Sequence, residues 1–234
     1  GVGKYEQGKI VNLTVRDGLH GVDSLLCTRE GVVWMGIGGG LAKFEDGKFS
    51  VPLVISPRLL DFRGLYQSKD GAIWSLITLP GLAGAYRFDG HTFKNLGTEE
   101  GMLSDDVYAM AETSNGDLWF GTRRGLSRFN GTTVVNYTEQ DGLSDAKIKD
   151  IFVDEDDVLW LATESGVVRF DPNTLSGFTK RDGFQAGSDT PAVFTIEPDP
   201  QDGFWVGTQW GGTYRLNHQK RRPVLTPVGQ QRNY

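Results

Sequence analysis

The 234-residue sequence has one cysteine and three histidines. It has no uninterrupted apolar run of about 18 residues, so no helical membrane span is expected. A single Cys27 cannot form an internal disulfide, and no Cys/His spacing fits a metal site. Clustered basic residues are also missing. The longest basic tract is Lys220-Arg221-Arg222, and the net charge is −6 with a pI near 5.1. Sequence-independent nucleic-acid binding needs several cations on one face, so this balance argues against it. No basic-then-apolar targeting segment opens the sequence. What is abundant is glycine, 32 residues, about twice the usual share of roughly 7%. No Gly-X-Y period exists, so the glycines must serve turns. Aromatics at 11% supply surface to bury and argue against disorder.

Tryptophan sets the organisation. Trp34, Trp74, Trp119, Trp160 and Trp205 recur at spacings of 40, 45, 41 and 45 residues, a period that marks a repeated supersecondary unit. Twelve residues before each stands Val22, Phe62, Val107, Ile148 or Val193; nine before stands Leu25, Leu65, Met110, Ile151 or Ile196. Ten after comes Phe44, Phe129 or Phe170 in three of the repeats, with Phe88 and Leu216 slightly displaced in the others.

Each unit resolves into four short strands. In the third, these fall over 107–113, 117–122, 126–129 and 132–138. Asn115-Gly116 and Asn130-Gly131 supply the tight turns, because Asn-Gly accepts the positive φ of a two-residue hairpin. A lone four-stranded meander cannot bury both faces, and stacking copies radially solves this. The fold expected is therefore an all-β propeller of four-stranded antiparallel blades, with tryptophan and the third-strand phenylalanine packed between neighbours. The blades fall at about 17–56, 57–98, 99–140, 141–181 and 182–228, after a half blade at 1–16. Residues 1–14 align without gaps on 125–138, the third and fourth strands of a blade. The array thus reads as part of a longer chain. A closed seven-bladed ring would need about 280 residues at this period.

Few residues suggest catalysis. His91 and His218 belong to third-to-fourth strand turns, whereas His20 precedes a first strand, so repeat position puts it on the opposite face. That excludes a three-histidine metal centre. Asp154-Glu155-Asp156-Asp157 is an acidic hairpin, read as a solvated turn with a weak Ca²⁺ site as the alternative. Cys27, between Leu26 and Thr28 on a first strand, reads as a buried inert thiol.

Superposing the repeats offers a recognition surface instead. Eleven residues before each tryptophan stand Asp23, Arg63, Tyr108, Lys149 and Phe194, all different, in a row otherwise uniform in type. Ten before stand Ser24, Gly64, Ala109, Asp150 and Thr195, mostly small, as crowded inner strands require. The same face would carry Arg123, Arg124, Glu164, Ser165, Gln209 and Trp210. An aromatic beside hydrogen-bonding groups suits a sugar ring. Arg63, Tyr108, Lys149, Arg123, Arg124, Gln209 and Trp210 are accordingly the candidate ligand-binding residues.

The residues also resemble a known family. Asp141-Gly142-Leu143-Ser144-Asp145, Gly116-Asp117-Leu118-Trp119-Phe120-Gly121-Thr122 and Gly125-Leu126-Ser127-Arg128-Phe129 are similar to the two-component regulator propeller repeat. The likeness recurs five times and spans nearly the whole chain. It implies a non-catalytic sensor module in the periplasm or otherwise outside the cytoplasm, part of a bacterial signalling protein. Its ligand would be a carbohydrate or other small molecule, with no cofactor, no nucleic acid and no membrane contact by this segment. A protein partner, or a dimer through the parent chain, is the alternative occupant. A propeller lyase or hydrolase is the third reading, without a His-Glu pair that repeat geometry would join. Departures from the repeat are the longer loop of blade two, from Leu76 to Ala83, and the lengthened loop leading into blade five.

Overall fold

The tryptophan of each repeat lies in the second strand of a four-stranded antiparallel sheet. The computed structural model describes residues 2–6, 9–13, 21–55, 62–143, 145–171, 176–177, 192–199, 203–208, 213–216 and 226–228. The chain forms two compact units, Gly1–Gly97 and Thr98–Tyr234.

The first unit opens with a two-stranded hairpin, β1 (Val2–Glu6) and β2 (Lys9–Leu13). Blade one follows as β3 (Val22–Cys27), β4 (Val33–Ile37), β5 (Gly40–Glu45) and β6 (Lys48–Val54). Blade two is β7 (Phe62–Gln67), β8 (Ile73–Ile77), β9 (Gly84–Phe88) and β10 (Phe93–Leu96). The second unit holds three blades. Blade three is β11 (Val107–Glu112), β12 (Leu118–Thr122), β13 (Leu126–Phe129) and β14 (Val134–Tyr137). Blade four is β15 (Ile148–Val153), β16 (Leu159–Thr163), β17 (Gly166–Asp171) and β18 (Ser176–Gly177). Blade five is β19 (Val193–Pro198), β20 (Phe204–Thr208), β21 (Thr213–Leu216) and β22 (Thr226–Val228). In every sheet the strands pair in chain order, as a meander must. Within each unit the first strands of successive blades run side by side: β3 with β7, β11 with β15, and β15 with β19. Helix among the described residues is limited to the single turns Thr98–Glu100 and Glu139–Asp141. No described helix is long and apolar enough to cross a membrane.

Second strands such as β8, β12 and β16 are buried at every position, because each is covered on both faces. Trp119 and Phe170 meet edge to face at 5.8 Å between blades three and four, joined by Leu126, Ile151, Leu159 and Leu161. Trp34 and Phe88 repeat that contact between blades one and two at 5.9 Å. Between blades four and five, Phe204 of β20 takes the place of the third-strand ring and packs on Trp160 at 4.6 Å. Each such buried side chain contributes about 1.5–3 kcal/mol of transfer free energy. The extra loop of blade two folds its apolar residues down, with Leu79 and Leu82 packed on the core of the first unit.

One expectation needs correction. Cys27 is exposed rather than buried, on the same strand as Leu25, which is 53% exposed. Strand β3 alternates faces: Val22 and Leu26 pack inward, while Asp23, Leu25 and Cys27 point to a side left open to solvent.

Candidate functional site

The first strand of every blade breaks its pairing at the same place. Val107 pairs with Thr122 and Ala109 with Gly121, which leaves Tyr108 outside the ladder. The same shift isolates Lys149, Phe194, Arg63 and Asp23. These are the five equivalent positions that differ in type. A β-bulge inserts one unpaired residue and re-aims its side chain, and bulges concentrate at strand ends beside functional sites.

In the second unit, three bulge residues from successive blades come together. The Lys149 ammonium lies 5.3 Å from the ring centroid of Tyr108 and 5.1 Å from that of Phe194. Each cation–π contact contributes about 0.5–2 kcal/mol, more as water is excluded. Phe194 remains 45% exposed, a state that among the described large hydrophobic residues only Leu25, Val51, Val54 and Val135 share. Behind the stack, Glu164 in the turn between β16 and β17 lies 2.6 Å from the Lys147 ammonium and 3.6 Å from that of Lys149. The shorter contact decides the pairing: Glu164 belongs to Lys147. The ion pair pushes Lys147 up and holds the Glu164 carboxyl below the usual range. Burial, reinforced by the neighbouring Lys147 ammonium, lowers Lys149. The arrangement presents one ammonium between two aromatic faces. A ligand with hydroxyl or anionic edges and an apolar face is its chemical complement.

The other candidates are placed differently. Arg123 and Arg124 line a pocket of about 360 Å³ with Thr98, Leu103, Ser104, Asp105 and Asp106. Arg123 lies 3.7 Å from Asp106 and is largely exposed, a geometry that contributes little to stability. Arg63 is exposed on its bulge in the first unit. Gln209 and Trp210 lie outside the described residues, as do His20 and His218. The remaining histidine, His91, is an exposed turn residue whose backbone amide donates to Asp89 at 2.9 Å. Among the described residues, no group of three or more His, Cys, Asp or Glu side chains is placed to hold a metal ion.

The acidic hairpin of blade four has a structural use. Asp154 accepts the amides of Asp156 and Val158, each at 3.0 Å, and the Trp160 indole N–H at 2.8 Å. Asp157 accepts the Ser114 amide of the adjacent blade at 2.7 Å. Sequence reasoning missed this role, although the signal was present: six residues before each tryptophan stands Thr28, Ser68, Thr113, Asp154 or Asp199, always polar. It also missed a cation directly across the ladder from each indole: Lys43, Arg87, Arg128, Arg169 and Arg215.

Residues 101–124, in blade three, match the family model described as two component regulator propeller. No curated protein matches the chain in sequence. Solved structures share its fold. The extracellular domain of a hybrid two component system from B. thetaiotaomicron is 22% identical, with a TM-score of 0.75 over 95% of this chain and 31% of that one. The extracellular domain of a one component system from the same organism is 20% identical, with a TM-score of 0.64 over 89% and 31%. Virginiamycin B lyase from Staphylococcus aureus is 18% identical, with a TM-score of 0.69 over 94% and 74%. This chain therefore spans about a third of the length of the two extracellular domains. At such identities the likeness is one of fold, and the fold is the β-propeller.

Proposed function

We propose that the chain is a non-catalytic recognition module of the two-component sensor kind, acting outside the cytoplasm and binding a carbohydrate or other small ligand on its bulge face. The observation that carries this reading is the convergence of Tyr108, Lys149 and Phe194, three bulge residues stacked as ring, ammonium and ring. Aromatic faces cover the apolar side of a sugar and the ammonium donates to its hydroxyl or carboxylate edge. Two of the structural neighbours are extracellular domains of signalling systems, which supports the location and the role. Beside the stack, Glu164 is held ionised by Lys147 and is not poised as a general acid.

A glycan array tests the reading with wild type, Tyr108→Ala and Lys149→Ala. Binding by wild type, reduced on the order of tenfold or more in both variants, is the expected result. If wild type binds no glycan but captures a defined protein partner through the same residues, the scaffold alternative replaces it.

A further inference from the structure

The end of the blades opposite the bulges carries a second feature. In four blades the residue across the ladder from the tryptophan is an arginine, and its guanidinium is committed within its own sheet. Arg128 lies 5.6 Å over the Trp119 ring and pairs with Asp117. Arg169 lies 6.0 Å over Trp160. Arg87 pairs with Asp70 at 2.6 Å, and Arg215 pairs with Asp199.

Blade one breaks the rule. Its cross-ladder residue is Lys43, whose ammonium turns to Glu45 at 2.7 Å along the same strand. Among the described residues no cation lies over the Trp34 ring, and the indole is only partly buried whereas Trp74, Trp119 and Trp160 are buried. Glu30 occupies the turn position that Asp70 holds in blade two, and its carboxylate accepts from the Gln67 amide at 2.8 Å, and from the Thr28 hydroxyl and its own backbone amide. The nearby Arg29 guanidinium is turned to the Ser68 carbonyl at 2.5 Å. The result is a cleft of about 250 Å³ between blades one and two, floored by Val32, Trp34, Ile73 and Phe88. Its rim holds three carboxylates, Glu30, Glu45 and Asp89, with the Lys43 ammonium on Glu45 and the Arg87 guanidinium 3.5 Å from Asp89. Both Glu30 and Asp89 are held below the usual carboxylate range by the hydrogen bonds they accept, so the rim stays anionic.

We propose that this cleft takes the guanidinium of an arginine side chain from a partner peptide, stacked on Trp34 and paired with Glu30. Blade three shows the geometry that such a group adopts against an indole and an acid at once, with Arg128 over Trp119 and on Asp117. A planar guanidinium satisfies both at once, where the compact Lys43 ammonium is drawn to the nearer Glu45. Arginine within a peptide suits the site better than the free amino acid, whose own carboxylate would meet the acidic rim.

Ligand-observed NMR titration with acetyl-Gly-Arg-Gly-amide tests this, alongside the same peptide carrying citrulline and alongside free arginine. Citrulline keeps the shape and removes the charge. The arginine peptide should bind on the order of tenfold more tightly than the citrulline peptide, and more tightly than free arginine. Glu30→Gln should weaken the arginine peptide severalfold. Lys43→Arg should do the same or more, because it fills the seat from within, and its unchanged or higher melting temperature would show an intact fold. Equal binding of the two peptides, tighter binding of free arginine, no binding by wild type, or full affinity in Lys43→Arg would each overturn the proposal. The cleft lies at the far end of the strands from the bulges, so these outcomes are independent of the glycan test.

Discussion

Asp150, in the first strand of blade four, accepts the backbone amide of Ile196 in the first strand of blade five, 3.0 Å away across 46 residues of chain. Its other oxygen accepts the Ile151 amide at 2.9 Å. Burial pushes the Asp150 carboxyl up, and these amides offset the shift only in part.

Asp150→Ala should therefore lose about 1–3 kcal/mol, because the buried Ile196 amide is left unpaired. Alanine already occupies the equivalent position at Ala109, so shape is not the cause. Urea unfolding measures the loss. The pH dependence has a definite sign. A carboxyl raised in the folded state binds its proton more readily there than in the unfolded chain. Its contribution to stability is then highest at low pH and declines as pH rises from the ordinary value of 3.8 through the folded value. Relative to Asp150→Asn, wild type should lose stability over that interval. A gap that stays constant with pH would sink this account.

Thr113 and Ser114 are adjacent, yet their removal should differ. Thr113 is buried and its hydroxyl accepts the Trp119 indole N–H at 3.2 Å while donating within the turn. Thr113→Val should cost about 1–2 kcal/mol. The Ser114 hydroxyl donates to Asp157 on the exposed surface, and its backbone amide keeps its own bond to Asp157, so Ser114→Ala should cost no more than about 0.5 kcal/mol. Paired thermal melts check the contrast.

Gly125 and Gly116 separate two reasons for glycine. Gly125 has φ +141°, and a Cβ there would stand 2.3 Å from the Tyr137 carbonyl oxygen. Gly116 has φ +85° with nothing within 4 Å. Gly125→Ala should cost about 3 kcal/mol or more, through both strain and a backbone clash. Gly116→Ala should cost about 1 kcal/mol, from backbone strain alone. Comparable losses would mean that the close approach is relieved by a local shift.

Lys149 and Lys147 should titrate apart. NMR of ¹³C-methylated lysines would place Lys149 below the ordinary value of 10.5 and Lys147 above it. A lysine lowered by folding disfavours its charged form there, so its contribution to stability rises with pH between the folded value and 10.5. Glu164→Gln should lower both lysines, Lys147 more, because Glu164 is its closer partner. Coincident titration of the two in wild type would contradict the assignment of Glu164 to Lys147.

The periodic indoles made the sheets legible, because one second-strand tryptophan per meander imposes a period that the sequence displays directly. The strands read for blade three at 107–113 and 126–129 correspond to Val107–Glu112 and Leu126–Phe129. The bulges were not legible as such, since pairing register leaves no mark on composition. Their trace was indirect: Tyr108, Lys149 and Phe194 differ freely where Val107, Ile148 and Val193 do not. Phe194 stood in that row without being counted among the candidate binders. The exposure of Cys27 escaped sequence reasoning because the repeat argues from covered blades, while β3 leaves one face open. The cation across from each indole was visible as a basic residue before the third-strand aromatic in Lys43-Phe44, Arg128-Phe129 and Arg169-Phe170. Its meaning needed the ladder, which alone shows that the two side chains share a face.

The unpaired residue at the head of each first strand has an evolutionary consequence. Because it owes nothing to backbone pairing, a mutation there spares the ladder while rewriting one sector of the surface. Selection can retune such a protein's preferences one wedge at a time.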